Sequence, residues 1–185
     1  MKNPSPEHGQ LLISEPFMLD PNFKRSVVLL CENHKEGAVG FIINKPIETT
    51  LQDVLPDFDS FNSQLYYGGP VEPDTLHFIH KLGNRIDDSI EIMKGVFWGG
   101  NFETLRLLID TKQVKASDFR FFLGYSGWST DQLKDEMSED SWFIVEGKKD
   151  YIFNKTPKDL WKTILQDMGG DYKQMVNYPE HPSLN

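Results

Sequence analysis

The chain has 185 residues, of which 38% are hydrophobic and 12% aromatic, so it can bury a substantial core within a single globular domain. Its formal net charge is -9, and its basic residues are scattered, whereas acidic residues gather in pairs such as Asp87-Asp88. Because nucleic-acid binding depends on concentrated lysine and arginine that neutralise phosphates, this composition argues against direct nucleic-acid binding.

The first part of the chain predicts β-structure. A strand is predicted over residues 10–14, and Glu15-Pro16 ends it because proline lacks the N–H group needed for further pairing. Asp20-Pro21-Asn22-Phe23 is typical of a turn. Residues 26–32 and 38–45 are apolar on both alternating faces, which favours two central strands that are covered on each side. The polar residues between them end in a glycine and predict a hairpin loop.

The middle of the chain mixes short strands with helices. A short helix is predicted over residues 50–55, with three side chains facing inward: Leu51, Val54 and Leu55. Strands are predicted over residues 65–67 and 75–81, and another lies within residues 90–98. Asn101 is predicted to cap a helix whose apolar stripe comprises Phe102, Leu105, Leu108 and Ile109.

The last part of the chain places one helix between two strands and then adds a longer helix. Strands are predicted over residues 119–125 and 142–146, and a helix begins between them after Ser129. Thr156-Pro157 opens the last helix and Gly169-Gly170 closes it. Its apolar stripe comprises Leu160, Trp161, Ile164 and Leu165. Several strands with helices inserted late indicate a single α+β domain with a mixed β-sheet flanked by helices.

Composition also predicts the domain limits and the compartment. Residues 1–8 are predicted to be a flexible leader, residues 9–177 one domain, and residues 178–185 a flexible tail. Cys31 is the only cysteine, which excludes an intramolecular disulfide and a multi-cysteine zinc site and fits a reducing cytoplasm. The N-terminal stretch lacks the apolar core of a signal peptide, and the densest apolar run, residues 27–31, is too short to span a bilayer. We therefore expect a cytoplasmic protein that does not contact membranes.

The most distinctive stretch, residues 124–133, reads G-Y-S-G-W-S-T-D-Q-L. We expect a strand, a glycine-hinged turn and the start of a helix. With Ser129 as the N-cap, Gln132 would complete a capping box, and Trp128 would form a hydrophobic staple with Leu133. These roles favour a structural motif over a catalytic one, and its members are Gly127, Trp128, Ser129, Gln132 and Leu133.

Three groups of residues are candidates for a pocket or an anion site. Gly68-Gly69-Pro70 follows a predicted strand, but no Walker Lys-Ser/Thr follows it, so a tight turn is the favoured interpretation. Gly99-Gly100-Asn101 precedes a helix whose free N–H groups could hold an anion, although an ordinary helix cap is the favoured interpretation. Asp20, Asn22 and Asn44 could line a polar pocket, or could fix their turns through hydrogen bonds to the backbone.

The remaining reactive residue types do not predict catalysis or metal binding. His77 and His80 are three apart in a predicted strand, so their side chains should point to opposite faces, and no third ligand has a recognisable spacing. Cys31 alternates with apolar residues on one strand face, which favours a buried small side chain over a nucleophile. We predict no catalytic residue, no metal and no cofactor.

Five segments stand together in the order of a known family. Their residues are Asp20-Pro21-Asn22-Phe23-Lys24-Arg25-Ser26-Val27-Val28, Gly37-Ala38-Val39-Gly40 leading to Asn44-Lys45-Pro46, Gly68-Gly69-Pro70-Val71, the stretch from 124 through Glu136, and Trp142. This pattern resembles the bacterial YqgE/AlgH family from about residue 9 to the C-terminal helix. The resemblance implies a curved, partly barrel-like sheet and a cytoplasmic bacterial protein. It implies no activity, although some members carry the label of transcriptional regulator, inherited from an effect on gene expression.

The favoured functional hypothesis is a non-enzymatic regulatory or adaptor protein that contacts a protein or small-molecule partner. A gene-regulatory effect would then be indirect, because the composition argues against DNA binding. The alternative is a metabolite- or anion-binding protein, or an enzyme of unknown reaction, that uses Gly68-Gly69-Pro70 and the helix start at Asn101. The sequence leaves the partner and the oligomeric state open.

Overall fold

The computed structural model describes residues 5–58 and 61–180, so Asp59 and the outer parts of the predicted leader and tail lie outside the described residues. Within these ranges one sheet contains ten strands. They are β1 (Leu11–Ser14), β2 (Val27–His34), β3 (Gly37–Ile42), β4 (Pro46–Thr50), β5 (Gln64–Tyr67), β6 (Val71–His80), β7 (Ile90–Met93), β8 (Val96–Trp98), β9 (Phe119–Ser129) and β10 (Trp142–Val145). The helices are α1 (Leu51–Val54), α2 (Phe102–Asp110), α3 (Gln132–Ser138), α4 (Lys149–Ile152), α5 (Leu160–Met168) and α6 (Gly170–Met175).

The sheet is mixed and open. Its strand order is β10-β1-β2-β3-β9-β6-β8-β7, and these neighbours are antiparallel. Strand β5 pairs in parallel with β9, and β4 pairs with β5. The α+β class and the mixed sheet are therefore confirmed. The partly barrel-like shape is not found, because the order ends at β10 and β7 and the sheet does not close.

Successive side chains of a strand point to opposite faces of the sheet, so they pack against different helices. In β1, Leu11 and Ile13 belong to the apolar cluster that contains the α5 residue Trp161, whereas Leu12 packs with Leu133 of α3. The predicted stripe of α5 is confirmed, because all four residues are at most 1% exposed: Leu160, Trp161, Ile164 and Leu165. In α2 the stripe is buried apart from Phe102, which is 38% exposed.

The predicted hairpin of β2 and β3 is confirmed, and its loop is shorter than expected. His34 pairs with Gly37, so only two residues make the turn. Gly37 has a φ of +147°, and a Cβ atom there would lie 2.4 Å from the Trp128 carbonyl oxygen of the neighbouring strand β9. Glycine is thus required where the turn passes close to β9.

Several local predictions were wrong. Strand β9 continues to Ser129, so residues 124–129 do not form a turn, because β3 supplies a hydrogen-bonding partner along this stretch. Residues 90–98 form two strands rather than one. In α1, Val54 is 37% exposed instead of facing inward, since the helix has a single turn and only Leu51 is buried. Strand β4 and helices α4 and α6 were not predicted.

Candidate functional site

The connection between β1 and β2 carries most of the first family segment, and we call its residues 16–26 the motif loop. Its backbone folds into successive turns. The Phe23 amide donates to the Asp20 carbonyl at 3.0 Å, and the Ser26 amide donates to the Phe23 carbonyl at 3.1 Å. The Asp20 carboxylate accepts a hydrogen bond from the Asn22 amide at 2.8 Å. Asp20 therefore acts within the loop as a side-chain turn former.

Asn44 holds the C-terminal end of the motif loop through two hydrogen bonds to backbone groups. Its side chain is buried, at 5% exposure. The Oδ1 atom accepts from the Val27 amide at 2.8 Å, and the Nδ2 group donates to the Arg25 carbonyl at 2.9 Å. Both ends of the amide are thus occupied by backbone partners, as the structural interpretation of this asparagine requires.

Asn22 receives hydrogen bonds from two other elements. The Tyr67 hydroxyl donates to its Oδ1 atom at 2.8 Å, and the Lys45 ammonium donates to its carbonyl at 2.7 Å. Burial lowers the pKa of Lys45, and the Asp20 carboxylate opposes this change. Burial, together with the same carboxylate, raises the pKa of Tyr67. The structure therefore brings Asp20 and Asn22 together at one loop, which is fastened by Asn44.

An aromatic cluster supports the other side of the loop. The Phe23 ring lies 6.0 Å from Trp128 and 5.5 Å from Trp142. The two indole N–H groups both donate to Oε2 of Glu136, at 2.9 Å from Trp128 and 2.7 Å from Trp142. Gln132 donates to the other carboxylate oxygen at 3.0 Å. Glu136 of α3 thus links this helix to Trp128 of β9 and Trp142 of β10.

The predicted cap of α3 was wrong in its position. Asp131, with a φ of +62°, is the N-cap, and Ser129 is still paired with Gly37 as a strand residue. Gln132 nevertheless accepts a hydrogen bond from the Ser129 amide at 3.0 Å. Trp128 and Leu133 belong to one apolar cluster, so they do pack in the same region.

Gly68-Gly69-Pro70 packs tightly against β9. The Gly68 amide donates to the Leu123 carbonyl at 2.9 Å, and its carbonyl accepts from the Ser126 hydroxyl at 3.0 Å. A Cβ atom at Gly68 would lie 2.2 Å from the Gly124 carbonyl oxygen, and one at Gly69 would lie 2.3 Å from the Tyr125 carbonyl. This turn is a close approach of two backbones, and Pro70 alone is exposed.

Gly99-Gly100-Asn101 lies elsewhere, at the end of β8 and beside β6. The Gly99 amide donates to the Phe78 carbonyl at 2.9 Å. Asn101 caps α2 as predicted, because its Oδ1 atom accepts from the Thr104 amide at 3.0 Å. The Thr104 hydroxyl lies 3.3 Å from the Asp87 carboxylate. A negative charge therefore already stands at this helix start, which disfavours a further anion.

The histidines lie on opposite faces of β6, as predicted. His77 contacts the Phe41 and Tyr125 rings, with centroids 5.2 and 5.7 Å away. His80 is buried, and its Nδ1 atom accepts from the Leu82 amide at 3.2 Å. Burial lowers the pKa of both imidazoles. Among the described residues, no group of three or more metal-ligating side chains could hold an ion.

Cys31 has the environment of a packed apolar side chain. It is 3% exposed, and burial raises the pKa of its thiol. The thiolate needed for nucleophilic attack is therefore disfavoured. None of the helices within residues 5–58 and 61–180 has the length and apolarity needed to cross a membrane.

A groove of about 770 Å³ lies between the β2–β3 turn and α3. Its lining includes Asn33, His34, Leu133, Lys134 and Met137. This groove was not predicted from the sequence, because its walls come from segments that lie about 100 residues apart in the chain.

Comparison with known proteins identifies a family and several relatives that this chain is similar to. A family model described as AlgH-like matches residues 11–173. Relatives include a UPF0301 protein of Chlorobaculum parvum, 44% identical over 96% of this chain and 95% of its own, and one of Cytophaga hutchinsonii, 44% identical over 96% and 98%.

Solved structures show the same fold. A protein of Corynebacterium diphtheriae superimposes with a TM-score of 0.80 at 20% identity, covering 96% of this chain and 95% of that chain. The AlgH protein of Pseudomonas aeruginosa superimposes with a TM-score of 0.74 at 26% identity, covering 98% of this chain and all of its own, 100%. The chain described above therefore belongs to the AlgH-like family.

Proposed function

We propose that this protein is a non-enzymatic regulatory or adaptor protein of the cytoplasm, which binds a protein partner through the motif loop. One observation carries the proposal. Leu19 is 94% exposed in the loop that the family motifs hold in place. Single exposed leucines are common on protein surfaces, but this one directly precedes the first family segment, which begins at Asp20.

The loop has the properties of a preformed binding element. Asn44, Tyr67 and Lys45 all bond to its backbone or to Asn22, so little conformational freedom is left to lose on binding. An exposed apolar side chain on such a loop can fill a pocket of a partner as an anchor. Because Asp20 follows Leu19 and the chain carries a net charge of -9, the partner should surround this pocket with basic residues.

The contacts also favour binding over catalysis. The oxygen and the nitrogen of the Asn44 side chain both already hold hydrogen bonds within the protein. The Glu136 carboxylate accepts from two indoles and from Gln132. We infer that an effect on gene expression would be indirect, because the acidic composition opposes binding to DNA phosphates.

The test compares two exposed leucines by partner capture. Leu19→Ser should lower recovery of the partner at least about tenfold, since an interface anchor contributes roughly 2 kcal/mol or more. Leu107→Ser, at a leucine on α2 that is 60% exposed, should leave recovery unchanged. Recovery is measured by quantitative mass spectrometry after crosslinking in cells, with thermal melting as the folding control. Equal recovery by Leu19→Ser and the wild type would refute the role of this loop.

A second candidate function rests on the groove between the β2–β3 turn and α3. Its volume of about 770 Å³ is enough for a metabolite, and Lys134 and His34 stand among its lining residues. The protein would then be a metabolite- or anion-binding protein. A thermal-shift screen with metabolites tests this possibility, because a ligand that binds only the folded state raises the melting temperature.

A further inference from the structure

The C-terminal segment, residues 177–180, lies on the motif loop, and we call it the strap. The Tyr178 ring stacks on Phe17, with centroids 5.6 Å apart and an interplanar angle of 12°. The Tyr178 carbonyl accepts a hydrogen bond from Nη2 of Arg25 at 2.6 Å. The Glu180 carboxylate lies 3.7 Å from Nη1 of the same arginine. The strap thus contacts the motif loop through two pairs of groups: Tyr178 with Phe17, and Glu180 with Arg25.

Both the backbone conformation and the side-chain environment of Arg25 are unusual. Its φ is +48°, in the left-handed region that non-glycine residues rarely adopt. The guanidinium lies 5.1 Å above the Trp161 ring. Its Nε atom is buried and has no hydrogen-bond partner among the described residues. A buried donor without a partner costs stability, and retained strain of this kind is concentrated at binding sites.

We propose that Phe17, Arg25 and Trp161 form a peptide-binding cradle, which the strap occupies in the free protein and an acidic segment of a partner occupies in the complex. The strap itself defines the chemistry of that segment. It should carry an aromatic ring two residues before a carboxylate, as Tyr178 and Glu180 do. The strap then acts as an autoinhibitory contact on the motif loop.

The strap contacts are weak enough to be exchanged. The Arg25 and Glu180 side chains are 18% and 61% exposed, and an ion pair open to solvent contributes little. Tyr178 is 39% exposed even when stacked. An attached segment nevertheless competes with an effective concentration in the millimolar range, so a free peptide must overcome it. A partner segment must therefore bind the loop strongly enough to displace the attached strap.

The test uses the full chain and NMR signals at the cradle. The strap is released by the double substitution Tyr178→Ala and Glu180→Gln. The control is Glu139→Gln, at an exposed carboxylate directly after α3. The probe is a synthetic peptide with the sequence of residues 177–183 and blocked ends. The observed signals are the indole N–H of Trp161 and the Nε–H of Arg25.

Releasing the strap should shift both signals, and the control should not. The peptide should return them towards their wild-type positions in the released variant, whereas the wild type should require at least about tenfold more peptide. Signals that stay unchanged on release, or equal peptide affinities for the two proteins, would overturn the proposal. Arg25→Lys in the released variant keeps the charge without the planar fork and should weaken peptide binding; undiminished binding would also overturn it.

This inference rests on the proposed function only in assigning a partner to the motif loop. The exchange of the strap can succeed in a solution that contains no partner, whereas the capture experiment at Leu19 depends on one. Failure of the capture experiment with successful exchange would leave the cradle in place and reject Leu19 as the anchor. Failure of the exchange with successful capture would reject the cradle alone.

Discussion

Gly68→Ala is expected to lower the free energy of unfolding by about 3 kcal/mol or more, because the new methyl group would collide with backbone. Its Cβ atom would lie 2.2 Å from the Gly124 carbonyl oxygen and 3.2 Å from the carbonyl carbon. A flexible side chain could move away, but this carbonyl belongs to the central strand β9. Urea denaturation followed by tryptophan fluorescence measures the change.

Gly99→Ala is the matched control, since this glycine belongs to the second glycine-rich turn. It has a φ of +66°, and an added Cβ atom would meet nothing within 4 Å. The cost should therefore be limited to backbone strain of about 1–2 kcal/mol. Equal stabilities of Gly68→Ala and the wild type would contradict the close packing of the Gly68 turn. An anion-binding role for that turn would then be favoured again.

Glu136→Ala should destabilise the protein by roughly 3 kcal/mol, because two buried indole N–H groups lose their acceptor and each unsatisfied group costs about 1–3 kcal/mol. Trp128 and Trp142 are 4% and 1% exposed, so both donors belong to buried side chains. The same denaturation measurement gives the difference. The emission spectrum should also change, since both donors are fluorescent.

Two controls separate the lost acceptor from a general surface effect. Glu136→Gln retains a side-chain carbonyl oxygen and should cost about 1 kcal/mol, the usual net value of a hydrogen bond. Glu139→Ala, at an exposed position of the same helix end, should change stability by less than about 0.5 kcal/mol. If all three variants unfold at the same denaturant concentration, Glu136 does not join the strands as described.

Much of the fold could be predicted because it depends on local periodicity. The apolar runs of β2 and β3 and the stripe of α5 are visible within ten residues of sequence. The end of β9 could not be predicted in this way. Gly124 and Gly127 favour a turn locally, but β3 pairs with this stretch through Gly40 opposite Ser126 and Ala38 opposite Trp128. That partner lies almost 90 residues earlier, so long-range pairing overrides the local preference.

Part of the candidate site could also be predicted, because turn-forming residues are recognised from the local sequence. Asp20, Asn22 and Asn44 were selected as turn-forming polar residues, and the structure places all three at the motif loop. Lys45 and Glu136 were not selected. The Lys45 ammonium donates to Asn22, which lies 23 residues earlier. The two indoles that donate to Glu136 lie on β9 and β10, the strands before and after α3 in the chain, and their approach to one carboxylate depends on how α3 packs on the sheet. For Glu136 a signal was available, since it stands four residues after Gln132 on one face of α3, where side chains meet.

The central claim is that the family motifs hold the motif loop rigid so that it can present Leu19. The most direct measurement is the backbone order parameter of its amides by ¹⁵N relaxation, from Leu19 to Arg25 apart from Pro21, which has no N–H group. We predict values near about 0.85, as for rigid backbone in the sheet. Values below about 0.6 throughout the loop would contradict the claim, because side chains that are hydrogen-bonded to it would then fail to restrain it.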